Sequence, residues 1–479
     1  MECTVAHGPP PSGIFLNCLG DLSRAESKAP ARQSVNDKWR GPMSRPLLSF
    51  KKKRVEVFAA LNSPSSAGLA APTTGVQVQD VVIVGGGIAG LATALALHRL
   101  GVKPMLLEQS DRLRIAGSSI GIWSNAWRAL EALGVADSLR SKFLKLSGVE
   151  FFGENGTLIL SLGFDEGSRD IELRGVERRA LIESLREPLP DGTVFYDSQV
   201  VGIKKLDGGC TEVKCKNGQT IQTKVLIGCD GVGSVVGKWM KMGELRYAGH
   251  TATRGLAMYP DGHKLSPHAK QILGRGVRAG IIPMDANRAY WFVVFNSSGD
   301  KLADVELVRE EALNLVRGWP SMIIEAIDRS PSETLSRRGL GDRWMWPALG
   351  PRLYKDGVTL AGDAMHPMTP NLGQGGCCAL EDAVILARTL SKALSSVRDN
   401  DQTVISRSQE LEKIEHALKS YTEERWPRMF PMAIRSYLTG ALLQLDSETI
   451  CSIRNRLLPR IMKVDRFLDH TYYDCGTLC

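Results

Sequence analysis

A glycine-rich hexapeptide and an acidic residue further along the chain are spaced as the residues of a ligand-binding site could be. Residues 85–90 read GGGIAG, and Glu108 stands twenty-three positions after Gly85. Gly85 permits a tight turn, Gly87 lets backbone approach a pyrophosphate, and Gly90 lets a helix pack closely on a strand. A helix beginning here would offer N–H groups to phosphates, and Glu108 could accept hydrogen bonds from both hydroxyls of an adenosine ribose. The pattern predicts a dinucleotide site, for NAD or FAD, that uses Gly85, Gly87, Ile88, Ala89, Gly90 and Glu108.

Such a site needs a strand before the glycines and a helix after them, and the sequence supplies both. The run Val81–Leu97 holds seventeen residues without a charge. We expect a buried parallel strand up to the glycines and a helix over about Ile88–Arg99, ended by Gly101. A second strand is predicted over Lys103–Leu107, directly before the acid. A membrane span explains the run less well, because seventeen residues are marginal for a bilayer and four of the first ten are glycine. We therefore predict no transmembrane segment.

Two later strands also end in an acid beside a glycine. An apolar run at 225–229 leads into Asp230-Gly231, and another at 358–361 leads into Gly362-Asp363. The second is followed by His366 and by the glycine-rich stretch 372–376, after which a helix is predicted over 377–394. A helix N-terminus there would supply positive potential to a flavin ring without a reactive side chain. The glycines that leave this backbone bare are Gly373, Gly375 and Gly376.

Composition excludes several other classes of protein. The 479 residues are 43% hydrophobic and 23% charged, as in ordinary globular proteins. The net charge is +8, of which residues 1–79 carry +5 (ten Lys and Arg against five Asp and Glu), so a nucleic-acid partner is not expected. Ten scattered cysteines without a CxxC pair indicate free thiols, and the eight histidines do not group with cysteine as metal ligands would.

Residues 1–75 differ from the rest of the chain. They contain nine Ser and eight Pro, have scattered basic residues, and lack both periodicity and a secretory apolar segment. This composition predicts a disordered leader, a transit peptide to the chloroplast. A disordered cytoplasmic tail is the alternative, and Lys51-Lys52-Lys53-Arg54 could instead be a nuclear signal.

The rest of the chain alternates between the dinucleotide unit and strand-rich blocks. We predict an α/β fold in which a Rossmann-like domain is interrupted by a mixed or antiparallel β-sheet domain and followed by a helical tail. The discontinuous cofactor domain is expected at 78–147, 176–245 and 350–400. The β-rich substrate domain is expected at 148–175 and 246–345, and the helical C-terminal region at 401–479.

Taken in order, the motifs resemble those of a known family. GGGIAG with Glu108, then GCDG at 228–231, then LAGDAMHP at 360–367 with GQGG at 373–376 are similar to the single-component FAD-dependent aromatic hydroxylases. These enzymes have the p-hydroxybenzoate hydroxylase fold. The run 121–134 resembles the GIxxNxxxALxxLG stretch of salicylate- and urate-hydroxylase-like enzymes and related plant monooxygenases. The likeness extends over about residues 78–445.

The resemblance implies roles for individual residues. Glu108 would hold the adenosine ribose of a tightly bound FAD, and Asp363 would bind its ribityl–pyrophosphate region. Asp230 would lie near the pyrophosphate, in a motif that serves both FAD and NAD(P)H. Arg178 would reach the flavin side.

Arg112 and Arg114 precede the loop at 116–117, which could approach the flavin. Surface arginines are the equal alternative for both residues.

One departure from the family pattern affects the nicotinamide contact. Family members often carry an arginine a few residues after Asp-Gly, whereas this chain has Gly237 followed by Lys238. Lysine is a point charge and cannot replace the bidentate fork of arginine. The departure puts the NAD(P)H contact in question more than the FAD contact.

The resemblance implies an NAD(P)H-dependent monooxygenase. FAD, reduced by NADH or NADPH, would insert one atom of O2 into a small aromatic or apolar substrate through a flavin C4a-hydroperoxide. A reductase or dehydrogenase of the same fold, and a catalytically silent flavoprotein, are the alternatives. The sequence leaves open the identity of the substrate, the choice between NADH and NADPH, and the oligomeric state.

Two features bear on the substrate and on catalysis. Trp291, Phe292 and Phe295 indicate an apolar partner or a core, and no charged cluster in the strand-rich block indicates a carboxylate site. His366 could act as a general base, but a single histidine at a strand end is more often a structural hydrogen-bond partner. We expect the flavin, and no protein side chain, to carry the chemistry.

Overall fold

The computed structural model describes residues 76–113, 119–300, 302–345, 352–398 and 406–478. Seventeen strands lie in these ranges: β1 Gln77–Val84, β2 Met105–Leu107, β3 Ser119–Trp123, β4 Gly148–Gly153, β5 Leu158–Gly163, β6 Leu173–Glu177, β7 Val194–Phe195, β8 Val200–Lys205, β9 Thr211–Cys215, β10 Thr220–Gly228, β11 Arg246–Met258, β12 His268–Leu273, β13 Val277–Pro283, β14 Arg288–Asn296, β15 Ser336–Asp342, β16 Tyr354–Lys355 and β17 Val358–Leu360. The predicted leader at 1–75 and Arg114 lie outside the described residues.

Eleven helices accompany these strands in the same ranges: α1 Ile88–Arg99, α2 Ser124–Ala132, α3 Ala136–Arg140, α4 Arg178–Arg186, α5 Val235–Trp239, α6 Val305–Leu315, α7 Ser321–Asp328, α8 Gly375–Arg398, α9 Arg407–Leu443, α10 Glu448–Ile461 and α11 Val464–Phe467. Short 3-10 turns occupy Phe164–Glu166, Ser332–Thr334, Gly362–Ala364, Pro370–Leu372 and Asp469–Thr471. None of the helices that the structure describes is both long and apolar enough to cross a membrane.

The first sheet places the ends of four strands at one edge. Its order is β16-β17-β10-β1-β2-β7, and the pairs of β1 with β10 and β2, of β10 with β17 and of β2 with β7 are parallel. Val84 is in register with both Leu107 and Gly228, and Gly228 is in register with Leu360. Because parallel strands end at the same edge, the turns after β1, β2, β10 and β17 must lie side by side.

Helix α1 is buried on all sides, as an apolar helix without a polar face must be. Its residues from Ile88 to Leu97 are all buried, and it packs against α8, which in turn packs along α9. The strand and helix predicted within Val81–Leu97 are confirmed, since β1 ends at Val84 and α1 begins at Ile88.

The second sheet is mixed and carries its own core. Its order is β15-β11-β14-β13-β12-β4-β5, antiparallel throughout except for the parallel pair of β12 with β4. Trp291 and Phe295 belong to a core cluster with residues of α6 and α7, and the Trp291 indole donates a 2.6 Å hydrogen bond to Ser330. Phe292 points to the other face, since side chains alternate along a strand. Of the three aromatic candidates for substrate contact, two are therefore core residues.

A short antiparallel ribbon of β3 and β6 crosses the boundary that was expected between residues 175 and 176. Val176 and Glu177 complete β6, which begins at Leu173. The reason is pairing across the chain, because buried Val176 lies opposite Ile120 of β3. The helix begins two residues later, at Arg178.

The two large sheets follow the expected division of the chain. Strands of the second sheet fall within 148–175 and 246–345, and those of the first fall almost entirely within the ranges expected for the cofactor domain. The domain boundaries themselves stay a prediction. Helix α9 lies in the expected C-terminal region, yet it packs along α8, so this region is not structurally separate.

Candidate functional site

The ends of β1 and β10 touch at Gly85. This glycine has φ +106°, and a Cβ on it would lie 2.6 Å from the Cys229 carbonyl oxygen and 2.9 Å from the Cα of Asp230. A side chain would therefore be both strained and blocked at this position. The structure thus brings Asp230 and the predicted phosphate turn into direct contact.

The start of α1 is open in front and tightly packed behind. A Cβ on Gly90 would lie 1.9 Å from the Gly85 carbonyl oxygen, whereas one on Gly87 would meet nothing within 4 Å. No side chain caps the helix, and its first turn holds no acid. The amides of Ile88 and Ala89 therefore begin a helix whose N-terminus can accept an anion such as a pyrophosphate.

Glu108 is fixed at the end of β2 by backbone amides. The residue is 7% exposed, and its carboxylate accepts hydrogen bonds from the amides of Gly86, at 2.7 Å, and of Ser110, at 2.9 Å. Each carboxylate oxygen has a second acceptor site, so the group can still accept hydrogen bonds from a ribose diol.

The Asp230 carboxylate is used within its own turn. One oxygen accepts from the Ser234 hydroxyl at 2.5 Å and the other from the Val235 amide at 2.6 Å, and these contacts fix the start of α5. Burial raises the pKa of Asp230, and this effect outweighs the lowering by these hydrogen bonds.

Gly237, which follows in α5, is buried and donates its amide to the Ser234 hydroxyl at 2.7 Å. A Cβ on it would lie 3.2 Å from the Ser234 side chain. The neighbouring Lys238 is exposed.

Asp363 stands in the turn after β17, where this turn meets the starts of α1 and α8, and we call the region in front of these three segments the cleft. The Asp363 side chain is accessible to solvent, yet protein atoms crowd it closely enough to raise the pKa of its carboxyl. The charges of Arg178 and Arg343 act in the opposite direction. Arg343 also donates to the carbonyl oxygens of Ala364, at 3.0 Å, and Gly243, at 2.6 Å. Sequence reasoning missed Arg343, because no motif surrounds it.

The start of α8 is the third approach of bare backbone to this cleft. A Cβ on Gly375 would lie 3.9 Å from an Asp363 carboxylate oxygen, and one on Gly376 would lie 3.2 Å from Ile120 of β3. Gly373 has φ +64° and faces the Trp123 indole nitrogen, 3.1 Å from where its Cβ would be. The turn after β17 also reaches α1, since a Cβ on Gly362 would lie 2.8 Å from that of Ala89.

A buried carboxylate holds that turn from behind. Asp382 is fully buried and accepts hydrogen bonds from the Gly362 amide at 2.8 Å, His366 Nε2 at 2.6 Å and Arg425 Nε at 2.7 Å. Burial alone would raise the pKa of Asp382, but His366 and Arg425 lower it to about 2. The carboxylate is therefore charged at neutral pH, and His366 is its buried partner.

Glu381, the residue before it, holds a second set of partners. Its carboxylate accepts from Asn125 Nδ2 at 2.6 Å, Arg425 Nη2 at 2.7 Å and Arg428 Nη2 at 3.0 Å. Asn125 also donates to Gln374 Oε1 at 2.9 Å. Helix α8 begins at Gly375, so Glu381 and Asp382 lie beyond its first turn, and both acids are buried.

A buried arginine faces the other side of the same loop. Arg278 of β13 is 2% exposed, and in the part of the chain that the structure describes its Nε has no hydrogen-bond partner. Its Nη2 donates to Asn371, two residues before Gly373. Burial and the like charge of Arg254 lower the pKa of Arg278 to about 10. Arg254 and Arg278 are 24 positions apart in sequence, so no local run of charge in the strand-rich block indicated this pair.

The residues around the cleft fit FAD. Three glycine turns and two uncapped or glycine-lined helix starts leave backbone room for a pyrophosphate and a flat ring, and Glu108 and Asp363 are placed as acceptors for sugar and ribityl hydroxyls. Arg112, near the expected flavin loop, is exposed and pairs with Asp111 at 3.6 Å.

Known proteins are similar to this chain in sequence and in fold. The FAD binding domain family matches residues 78–405. Monooxygenase 2 of Arabidopsis thaliana is 38% identical over 401 residues, which cover 83% of this chain and 98% of that protein. A chloroplastic zeaxanthin epoxidase of Prunus armeniaca is 29% identical over 366 residues, 73% of this chain and 54% of the epoxidase.

A solved structure has a similar fold. The structure of Klebsiella pneumoniae HpxO complexed with FAD and uric acid has a TM-score of 0.69 at 22% identity, and the likeness covers 84% of this chain and 96% of that one. This likeness confirms the predicted p-hydroxybenzoate hydroxylase fold, and the family match supports FAD as the cofactor. The chain therefore belongs to the family of FAD-dependent monooxygenases that share the FAD binding domain.

Proposed function

We propose that this chain is an NAD(P)H-dependent monooxygenase that inserts one atom of O2 into a small aromatic substrate carrying an anionic or hydrogen-bond-accepting group. The observation that carries the substrate class is Arg278, a buried cation whose Nε has no partner among the described residues. A buried cation without a carboxylate is costly unless a ligand supplies the missing acceptor. HpxO, whose fold resembles that of this chain, has been solved with FAD and uric acid, a ring that carries hydrogen-bond acceptors.

We infer that the FAD is tightly bound along the carboxyl edge of the first sheet. Gly85, Gly87, Ile88, Ala89 and Gly90 would hold its pyrophosphate. Glu108 would hold its ribose, and Asp230 would place backbone next to the phosphates. Support comes from the packing of Gly85 on Asp230 and of Gly362 on Ala89.

The flavin half of the site would be formed by residues around Asp363. Asp363 would accept from the ribityl hydroxyls, with Gly362 leaving room for the turn. Arg178 would lie on the flavin side, and Gly373, Gly375 and Gly376 would present the start of α8 to the ring. When bound, FAD supplies the redox chemistry of oxygen transfer. The helix start would supply positive potential, and Arg278 would orient the substrate.

The electron donor in this proposal is a transient NADH or NADPH. The chain has one GxGxxG unit, which FAD would occupy, so the nicotinamide would have no Rossmann site of its own. Buried Gly237 provides no arginine fork at the position where family members often have one, which leaves exposed Lys238 as the nearby cation.

We propose in addition that residues 1–75 are a chloroplast transit peptide. Their basic, serine-rich composition and the similarity to a chloroplastic epoxidase support this proposal. Edman sequencing of the mature protein from fractionated leaf cells should find its N-terminus near residue 75, in chloroplasts. A full-length product confined to the cytoplasm would contradict the proposal.

The Asp363 carboxylate gives the sharpest test of the FAD site. Replacing it by alanine (Asp363→Ala) should lower FAD affinity by about tenfold to a hundredfold, because a site built to bind hydroxyls loses its acceptor. FAD occupancy of the purified variant, read from the ratio of flavin to protein absorbance, measures the effect. Asp356→Asn, in the half-buried turn between β16 and β17 and outside the cleft, is the control and should keep full occupancy. Equal occupancy in both variants would refute the assignment of Asp363.

Turnover tests the oxygenase proposal directly. The FAD-loaded chain should oxidise NADH or NADPH faster when a small aromatic acid is present, and isotopically labelled O2 should appear in the product. Anaerobic turnover without oxygen incorporation would replace the proposal by a reductase. Tight FAD binding with negligible NAD(P)H oxidation across a broad panel would replace it by a silent flavoprotein.

The variant Arg278→Gln tests the proposed substrate class. Loss of the buried cation should raise KM for aromatic acids by about tenfold or more while leaving the response to uncharged analogues nearly unchanged. FAD content should stay that of the wild type. An equal loss for acids and uncharged analogues would remove Arg278 as the specificity determinant without affecting the oxygenase proposal.

A further inference from the structure

Helix α10 turns a row of aliphatic side chains to the outside. Ile450, Ile453, Leu457 and Ile461 are 48%, 50%, 39% and 62% exposed. Their spacing of three, four and four residues places them on one stripe along about three turns of the helix. We call these four side chains the α10 stripe. Scattered exposed aliphatic residues need no explanation, but a continuous stripe does.

The adjacent face of the helix, about a quarter turn from the stripe, fixes the helix to the rest of the protein. Cys451, Arg454 and Leu458 are buried. Arg454 Nη1 donates to the Leu443 carbonyl oxygen at 3.1 Å at the end of α9, and α10 packs against β5. Helix α10 is therefore packed in place by other residues while the stripe stays exposed.

Positive charge borders the stripe. Arg456 and Arg460 follow one another by four residues in α10, and Lys463 lies just beyond the end of the helix. All three are exposed, and none forms an ion pair within the described ranges. The acid at the start of the helix, Glu448, is by contrast within 3.5 Å of Arg275.

We propose that the α10 stripe docks on an anionic membrane surface, with the helix lying in the plane of the headgroups. Aliphatic side chains flanked by arginine and lysine match such an interface, where the apolar face enters the boundary of the acyl chains and the cations meet lipid phosphates. Two exposed leucines at the end of α9, Leu438 and Leu442, add apolar surface to the same part of the chain.

A second copy of the chain is a poorer occupant. Two α10 helices packed by their stripes would bring Arg456 and Arg460 of both copies together, and α10 offers no unpaired acid to neutralise them. An anionic surface removes this repulsion. The charge next to the stripe thus decides between the two occupants.

Co-sedimentation of the FAD-loaded full chain with vesicles tests the proposal. We expect binding to phosphatidylcholine vesicles that contain about 30% phosphatidylglycerol, and at least about tenfold weaker binding to pure phosphatidylcholine or at high salt. The double variant Ile453→Ser/Leu457→Ser should lose most binding to both vesicles. Arg456→Gln/Arg460→Gln should lose only the preference for the anionic lipid.

Matched controls are Val201→Ser and Val305→Ser, which remove exposed valines on β8 and α6. They should bind vesicles like the wild type, with circular dichroism and flavin content confirming that every variant is folded. Equal vesicle binding by the stripe variant and the wild type would overturn the proposal. So would a wild-type dimer in analytical ultracentrifugation that the stripe variant converts to a monomer, without any vesicle binding.

Discussion

The buried carboxylate of Asp382 is the group on which the site depends. It is removed from water and accepts from the Gly362 amide, His366 and Arg425, each within 2.8 Å. A carboxylate in such a place is stable only when its hydrogen bonds and charge are matched, and removal of one partner costs about 3–5 kcal/mol. The pKa of Asp382, lowered to about 2, expresses how strongly its partners favour the charged form. The turn that carries Asp363 is therefore held by a charged network, from Asp382, which is 20 residues after Gly362, and from Arg425, which is 43 residues after Asp382.

That turn connects three parts of the molecule. Its first residue, Gly362, lies against Ala89 at the start of α1, and the same loop ends at the start of α8. Between them Asn371 accepts a hydrogen bond from Arg278 in the second sheet. One loop thus contacts both the phosphate turn and the proposed substrate cation. A change in the position of the loop would be felt at both, which is a physical route by which substrate and cofactor binding could be coupled.

The features that the sequence predicted are local ones. The glycines at 85–90 and 373–376 are needed by the local backbone, as the φ of +106° at Gly85 illustrates. Such a need can be read from a short stretch of sequence without knowledge of distant partners. The parallel order of the strands then brings the acids together. Arg343, Arg425 and Arg278 could not be predicted, because their roles depend on partners far away in sequence. Trp291 was ambiguous for a related reason, since alternation along β14 does not reveal which face α7 covers.

Arg425 and Asp382 position the turn that carries Asp363, and FAD binding should depend on this pair. Arg425→Lys keeps the positive charge but cannot reach Asp382 and Glu381 together, which the guanidinium does with two nitrogens at 2.7 Å each. Titration of FAD into the folded apo-protein, followed by the quenching of flavin fluorescence, is the direct measurement. The dissociation constant should rise at least about tenfold in Arg425→Lys, while Arg388→Lys, in a partly exposed pair with Glu424, should bind like the wild type. An unchanged FAD affinity in folded Arg425→Lys would contradict the account.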